Sequence, residues 1–585
     1  VCSLLNVLRL LRAGRSGDAV WRELLLLSVL GVLSLLPLLP VLTAPLDFIP
    51  VTRGGSATVP LFNAWTILWN VKGIERGFQG WWDAPIFFPE RQCFAFSEPM
   101  PLTACLQPLV RIFGSVALAY NCWLAGNLFL NGVTACWLLR RCGCSCGPAA
   151  AAGCAMTLHP LLLTQLEVLQ LTCLWPSLWL LSTLLRIATA AADPAAGYGH
   201  CARLVSEAAL AVICLPATCV HHTLFFGLLL LFAGWALVPW RSFLRWLLLV
   251  CGVAVLALPP AAMMLLPVQQ VLRERGFERR EETVAVLSAV PSDYLRAPEQ
   301  SVASVMPQHV GRPWNLGAGW LRTVLATAGM MLVFGNAGLP LMRRLVLSLS
   351  LLLLAAALLS LGVNLQLGPW KIWAVLCDWL PGMAQVRSAF RFALFVQVAI
   401  ILLAGIGLDR LQICFLRRAG CSSRTQRVIV VCLGLLVAGE SWSVVPGRVD
   451  VPRIDVRPGW AEFLQSRAVS GEGVLILPYV QGHAPDDFQA TVRWMIHSTV
   501  AGLRIVNGYS GFFPPAHFTL QRDLQRAGLE SSLILQLQSG RVFWVVVTDS
   551  ESDKQAQRQP LLREQWRSAD GSEAVFEVVD RGQQE

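Results

Sequence analysis

The chain has 585 residues, 55% of them hydrophobic and 14% charged, where a soluble protein carries about 25% charged residues. Its mean hydropathy is +0.57 and several apolar runs approach about 20 residues, which excludes a soluble enzyme, a disordered scaffold and a disulfide-stapled secreted module and indicates a polytopic membrane protein. The net charge of +10 comes from 46 Lys+Arg against 36 Asp+Glu. In such a chain a basic balance marks cytoplasmic loops, and no nucleic-acid module is recognisable.

Residues 1–22 carry Arg9, Arg12, Arg15 and Arg22 and read as a cytoplasmic N-terminus. The apolar run 24–44 exceeds the roughly 7–15 residues of a signal-peptide core, so a retained anchor is expected. Further runs lie near 115–139, 148–166, 168–190, 205–220, 222–239, 244–267, 320–339, 344–363, 389–411 and 427–445. With the first they make about eleven spans in a membrane domain over 23–445. Arg140 and Arg141, Arg186 and Arg203, Arg241 and Arg245, and Arg343 and Arg344 fall in alternate loops, as do Arg417, Arg418, Arg424 and Arg427. The positive-inside rule puts those loops in the cytoplasm and faces 46–114, 268–319, 364–388 and the C-terminus outward. The 18 cysteines sit mostly in apolar runs. The C-x-C-x-C of Cys142, Cys144 and Cys146 fits no zinc spacing and reads as a loop of reduced thiols. No metal and no cofactor are expected.

Residues 446–585 differ in kind. After a linker at 446–456, strands are expected at 473–478, 503–507, 542–548 and 574–579, with helices at 487–500, 518–527 and 531–537. That is a small extracytoplasmic α/β domain.

The first outer loop, 46–114, holds Asp47, Asp83, Glu90 and Glu98 among Trp65, Trp69, Trp81 and Trp82. A solvated loop has no use for so many aromatics, so it is expected to pack on the membrane domain or lie in the interface. The 60–71 stretch suits an interfacial amphipathic helix. Carboxylates held among aromatics at a membrane surface are candidates for general-base work. Glu167, Glu207 and Glu440 fall at or within apolar runs, where an ionisable group is a functional suspect. His221 and His222 lack a metal-ligand spacing. Asn507-Gly508-Tyr509-Ser510-Gly511 reads as a tight turn needing glycine, or as a contact to an acceptor.

The strings Ile86-Phe87-Phe88-Pro89-Glu90, Phe94-Ala95-Phe96-Ser97-Glu98, Ala119-Tyr120-Asn121, Leu169-Gln170-Leu171 and Asp293-Tyr294-Leu295 occur in that order. They are followed by Gln385-Val386-Arg387-Ser388-Ala389-Phe390-Arg391-Phe392 and by Val506-Asn507-Gly508-Tyr509-Ser510-Gly511-Phe512. Together these resemble a bacterial multispanning branch of the GT-C glycosyltransferases, of the protein mannosyltransferase and aminoarabinose transferase types. The resemblance runs from about residue 20 to about 550.

The resemblance implies a membrane glycosyltransferase of the bacterial inner membrane. Such an enzyme moves a sugar from a polyprenyl-phosphate donor to an acceptor on the outer face. A first-loop carboxylate would be the base, here Asp83 or Glu98, then Asp47. Arg387 and Arg391, four apart and expected on one helix face, would hold the donor phosphate. Glu167, Asn507 and Tyr509 are further candidate site positions. The departures matter equally. Where the family carries an Asp just before its Pro-Leu-Phe-Asn-Ala-Trp-like stretch, this chain has Thr58 and Val59 before Pro60. The family's Ser-Glu-His is here Ser97-Glu98-Pro99, its His before Leu-Gln-Leu is Val168, and its tail strand ends in Thr548 instead of His. The alternative is therefore a non-catalytic relative acting as an envelope scaffold or lipid-handling protein.

Overall fold

A computed structural model describes residues 17–52, 55–297, 315–335, 340–416, 422–440, 446–469 and 471–579. Arg9, Arg12, Arg15, Arg417 and Arg418 lie outside the described residues. The strands are β1 Phe48–Val51, β2 Gln366–Leu367, β3 Trp370–Lys371, β4 Gly447–Asp450, β5 Gly473–Leu477, β6 Arg504–Ile505, β7 Val542–Val547, β8 Leu562–Arg567 and β9 Ala574–Val578. The chain forms two compact units. One comprises Val1–Pro40, Leu124–Gln269 and Glu278–Pro446, and the other Val41–Trp123, Gln270–Phe277 and Gly447–Glu585.

The first unit is helical. Among the described residues nine helices are long and apolar enough to cross a membrane: Val20–Val41, Val116–Arg141, Cys146–Leu163, Leu169–Ala192, Tyr198–Thr218, Val220–Leu237, Trp240–Glu274, Pro340–Ser360 and Ala389–Cys414. Helices Trp320–Phe334 and Ser423–Gly439 occupy the other two expected positions but are shorter. Ala389–Cys414 is the centre of the bundle, with 94% of its apolar window buried, whereas Trp240–Glu274 has 17% buried. Leu244, Leu248, Val255 and Met263 on the latter are more than 70% exposed, a surface suited to lipid and not to water. Gly329 and Gly407 let helices Trp320–Phe334 and Ala393–Leu411 meet backbone to backbone. A Cβ on Gly329 would lie 2.7 Å from the Leu403 carbonyl oxygen, and one on Gly407 would collide with that of Leu325.

Two of the suspected acids have structural roles here. Glu440 accepts from the Leu321 and Arg322 N–H groups at 3.0 and 3.2 Å and so caps Trp320–Phe334. Arg322, fully buried, donates in turn to the Val437 carbonyl near the end of Ser423–Gly439, from Nε at 2.8 Å and Nη2 at 2.6 Å. Glu207 pairs with Arg186.

The second unit is built on a five-stranded sheet in the order β6-β5-β7-β9-β8. β5 runs parallel to β6 and β7, and β9 antiparallel to β7 and β8. β5 (GVLIL) is buried at every position and β7 (VFWVVV) at five of six, as central strands covered on both faces must be. The linker expected at 446–456 is partly a strand: β4 pairs antiparallel with β1, Phe48 opposite Asp450. The strand expected at 503–507 is only β6. Beyond it the Asn507 side chain takes over, its Oδ1 accepting from Ile476 N–H at 2.9 Å and its Nδ2 donating to Ile476 O at 2.8 Å.

The first outer loop is part of this unit. Phe88 N–H donates to Ile505 O at 2.9 Å, Ile505 N–H to Pro85 O at 3.1 Å, and Phe87 N–H to Asn507 O at 3.2 Å. Residues 85–88 thus extend the sheet past β6. The interfacial helix expected at 60–71 is corrected by the same packing. Helix Thr58–Glu75 buries 14 of its 18 residues and has no solvent face to float on. Its indoles and amide are anchored inside the unit: Trp65 Nε1 to Thr499 Oγ1 at 2.9 Å, Trp69 Nε1 to Trp81 O at 2.8 Å, and Asn70 Nδ2 to Pro99 O at 2.7 Å. Trp65, Trp69, Trp81, Phe87, Phe94 and Phe96 are core residues of a folded unit.

Candidate anion-binding site

In the helical unit three loop segments are sewn together beside the start of helix Val220–Ala233. Arg279 N–H donates to Ala384 O at 3.0 Å, Phe390 N–H to Leu287 O at 3.0 Å, and Ala289 N–H to Ser360 O at 2.9 Å. Gly362 makes the convergence possible. It has φ +50°, and a Cβ there would strike Ser288 Oγ and come within 2.6 Å of Ala389 Cβ. Phe392 stacks on Phe225 at 4.0 Å and Phe395 on Phe226 at 5.6 Å, fixing the segment to helix Val220–Ala233.

This framework carries Arg387 and Arg391, and it corrects their expected geometry. The α-helix begins only at Ala393. Arg391 lies in the 3-10 turn Ala389–Phe392, and Arg387 precedes it on non-helical backbone between Val386 and Ser388. They share no helix face, yet their charges act on each other. Arg391 is buried and Arg387 exposed. Among the described residues neither forms an ion pair, with Asp378 or any other acid, and Arg391 Nε has no hydrogen-bond partner.

A third cation joins them. Arg279 is half-buried, and burial first, then the Arg387 charge, lowers its pKa to about 10. His221 lies where the fields of Arg279, Arg387 and Arg391 overlap. Its neighbour His222 accepts or donates at Cys173 O, 3.2 Å away, and packs edge-on against Phe395. Sequence reasoning missed Arg279 because it stands in an Arg- and Glu-rich run. Only its backbone bond to Ala384 singles it out.

A buried guanidinium beside a second cation, as Arg391 is beside Arg387, is unfavourable unless an anion neutralises it. Phosphate suits the requirement, since arginine forks bond it bidentately.

The candidate carboxylates lie in the sheet-bearing unit and differ in availability. Asp83 is exposed and its Oδ1 accepts from Gln92 N–H at 2.8 Å, closing a turn. Asp47 pairs with Arg453 at 3.4 Å. Glu90, not singled out as a base, pairs with Arg275 at 2.7 Å. Glu98 is half-buried with Oε2 shielded from solvent, directly after the buried Phe94-Ala95-Phe96. Glu167 is half-buried in the turn before Leu169, in the helical unit.

Asn507 has both ends of its amide engaged by Ile476. Tyr509 packs in an aromatic cluster with Phe62, Phe488 and Phe513 at 5.2–5.9 Å. The tight turn expected at 507–511 is not formed. The segment is irregular without positive φ, and its glycines serve close packing. A Cβ on Gly508 would lie 2.6 Å from the Phe87 ring, and one on Gly511 2.9 Å from Phe96 O.

No protein-family model and no curated protein sequence matches the chain. Solved structures do. The cryo-EM structure of arabinofuranosyltransferase AftD from mycobacteria superposes with a TM-score of 0.58 over 95% of this chain, at 16% identity. A mutant of AftD gives 0.54. The likeness shows that the chain shares the fold of AftD. The chain spans 40% of the length of AftD. ArnT from Cupriavidus metallidurans, bound to undecaprenyl phosphate, matches along 95% of this chain with a TM-score of 0.37 and 14% identity. The nine apolar helices among the described residues make the chain an integral membrane protein.

Proposed function

We propose that the protein is a membrane glycosyltransferase that takes a sugar from a polyprenyl-phosphate donor and passes it to an acceptor hydroxyl. The observation that carries this reading is the Arg387/Arg391 pair. It combines a buried and an exposed guanidinium, has no carboxylate partner among the described residues, and lies on a fold shared with AftD. In the reaction the acceptor hydroxyl loses its proton to a carboxylate and its oxygen bonds to the anomeric carbon. The bond from that carbon to the phosphate oxygen breaks, and polyprenyl phosphate leaves with one more negative charge than the donor carried. Arg387, Arg391 and Arg279 stabilise that developing charge.

We assign the base, on the resemblance to the family, to the first-loop carboxylates Asp83 or Glu98, then Asp47. The basic loops support a cytoplasmic N-terminus in a bacterial inner membrane and an outward-facing segment 446–585.

The test is saturable binding of polyprenyl phosphate and of a polyprenyl-phosphate sugar to the purified chain in nanodiscs. Wild type is compared with Arg387→Ala/Arg391→Ala and Glu98→Gln. Binding lost in the arginine double variant and kept in Glu98→Gln supports the assignment, and binding no greater than to empty nanodiscs overturns it. One observation favours the second reading, a non-catalytic relative. The position of the family's Asp is occupied by Thr58 and Val59, and Thr58 is wholly buried at the start of helix Thr58–Glu75. Donor binding without transfer to any acceptor would decide for that reading.

A further inference from the structure

A second charged surface lies in the helical unit, built by two loop regions taken with the helix ends that flank them: residues 193–203, joining spans Leu169–Ala192 and Tyr198–Thr218, and residues 235–246, joining spans Val220–Leu237 and Trp240–Glu274. Chain order puts both loops on the same side of the membrane, because two crossings separate them. Arg245 ties them together, donating from Nη1 to Asp193 O at 2.6 Å and from Nη2 to Ala196 O at 2.8 Å.

The second loop exposes a ladder of rings. Trp235 stacks on Trp240 at 5.6 Å and 26°, Trp240 on Phe243 at 5.9 Å and 14°, and Phe243 on Trp246 at 6.0 Å and 29°. Large rings so exposed, 63% at Trp235 and 60% at Trp240, do not belong to a water-facing loop. Tyr198 on the first loop is 97% exposed. Arg203 and Arg241, on the same two loop regions, are exposed, and among the described residues neither is ion-paired. The two loops present Arg203, Arg241 and Arg245 against the single acid Asp193.

We infer that this surface binds the headgroups of anionic phospholipids. Indoles settle at headgroup depth because one edge is polar and the body apolar. Arginines at that depth meet the lipid phosphodiester directly. The excess of cations over acids selects an anionic headgroup over a zwitterionic one. A continuous stack of rings, instead of scattered ones, keeps the arginine-bearing loop at one depth. This surface is separate from the Arg387/Arg391 site, and its test does not depend on that site.

The experiment uses the full chain, delipidated in detergent and returned to nanodiscs of phosphatidylcholine with or without phosphatidylglycerol. The lipid that co-purifies is then counted by native mass spectrometry. Wild type is expected to enrich phosphatidylglycerol. Arg203→Gln/Arg241→Gln should lower the enrichment by about fivefold for each arginine at low salt, and by less in high salt. Trp235→Leu/Trp240→Leu should reduce retention of both lipids. Both arginines are exposed and unpaired, so these variants leave folding intact. Arg387→Ala/Arg391→Ala should retain phosphatidylglycerol as wild type does. Equal retention of the two lipids by wild type, or an unchanged preference in Arg203→Gln/Arg241→Gln, would overturn the inference.

Discussion

The sheet-bearing unit and the Arg387–Arg391 segment of the helical unit treat the same side chain in opposite ways, although elsewhere the helical unit pairs its arginines too, as Arg186 with Glu207. In the sheet-bearing unit, arginines meet carboxylates. Arg493 clasps Asp450 through two bonds of 2.7 and 2.8 Å, Arg453 takes Asp455 and Asp47, and Arg567 takes Asp553 and Glu564. In the helical unit, Arg387 and Arg391 stand side by side with no such partner among the described residues. The first arrangement is neutral and folds onto itself. The second sets two like charges just before helix Ala393–Leu411, which the proposed donor phosphate would balance. A basic residue thus reads as structural or as binding according to the company it keeps in space.

The sharpest way to break the comparison is to remove a cation from each side. Arg391→Ala is expected to weaken polyprenyl-phosphate binding by about a hundredfold, the scale of truncating a buried charge contact, with Arg391→Lys intermediate. Binding measured in nanodiscs checks it, and an unchanged affinity would place Arg391 among the merely structural arginines.

Next in size is acid sensitivity in the sheet-bearing unit. His517 is buried among Phe87, Phe488 and Phe513, with Nδ1 2.7 Å from Tyr479 Oη. Burial first, then the nearby His483, lowers its pKa to about 4. The folded state therefore resists a proton that the unfolded chain accepts. Stability is full above about pH 6.5 and falls as the pH drops toward 4, by about 3 kcal/mol for this one group. Thermal unfolding against pH should show that slope, and His517→Phe should flatten it.

Gly508→Ala tests the packing of the first outer loop on the sheet. Its methyl would press into the Phe87 ring and destabilise the unit by about 1–3 kcal/mol. Phe87→Leu in the same chain should recover part of the loss. The smallest effect is expected at Asp450→Asn, which breaks a solvent-exposed ion pair worth about 1 kcal/mol or less. A loss in thermal stability well beyond that would mean the sheet-bearing unit depends on its charge pairs more than their exposure implies.

What could be read directly from the amino-acid order is whatever depends on local composition. Spans such as Val116–Arg141 and Pro340–Ser360 follow from apolar length alone, and β5 and β7 from unbroken runs of aliphatic residues. The Arg387-to-Arg391 string was singled out on sequence alone as the proposed donor-phosphate site. Strands β4 and β8 and helices Gly459–Arg467 and Ser550–Arg558 were not legible, because short polar elements carry no strong period, and β1 is too short, at four residues, to show one. β8, with Arg563 and Glu564 exposed, is patterned as an edge instead of a core strand.

Tertiary structure alone decided the rest, because each of those features is a contact between residues far apart in the chain. Trp65, Trp69, Trp81, Phe94 and Phe96 looked interfacial by composition, yet they are core in a unit where residues 85–88 pair with β6. Arg279 is distant in sequence from Arg387 and enters the site through a backbone bond to Ala384. Glu440 ceased to be a suspect once it met the N-terminus of helix Trp320–Phe334. Local sequence sets which segments are apolar or charged. Whether a charge is neutralised from within or left for a ligand depends on the partners that folding brings to it.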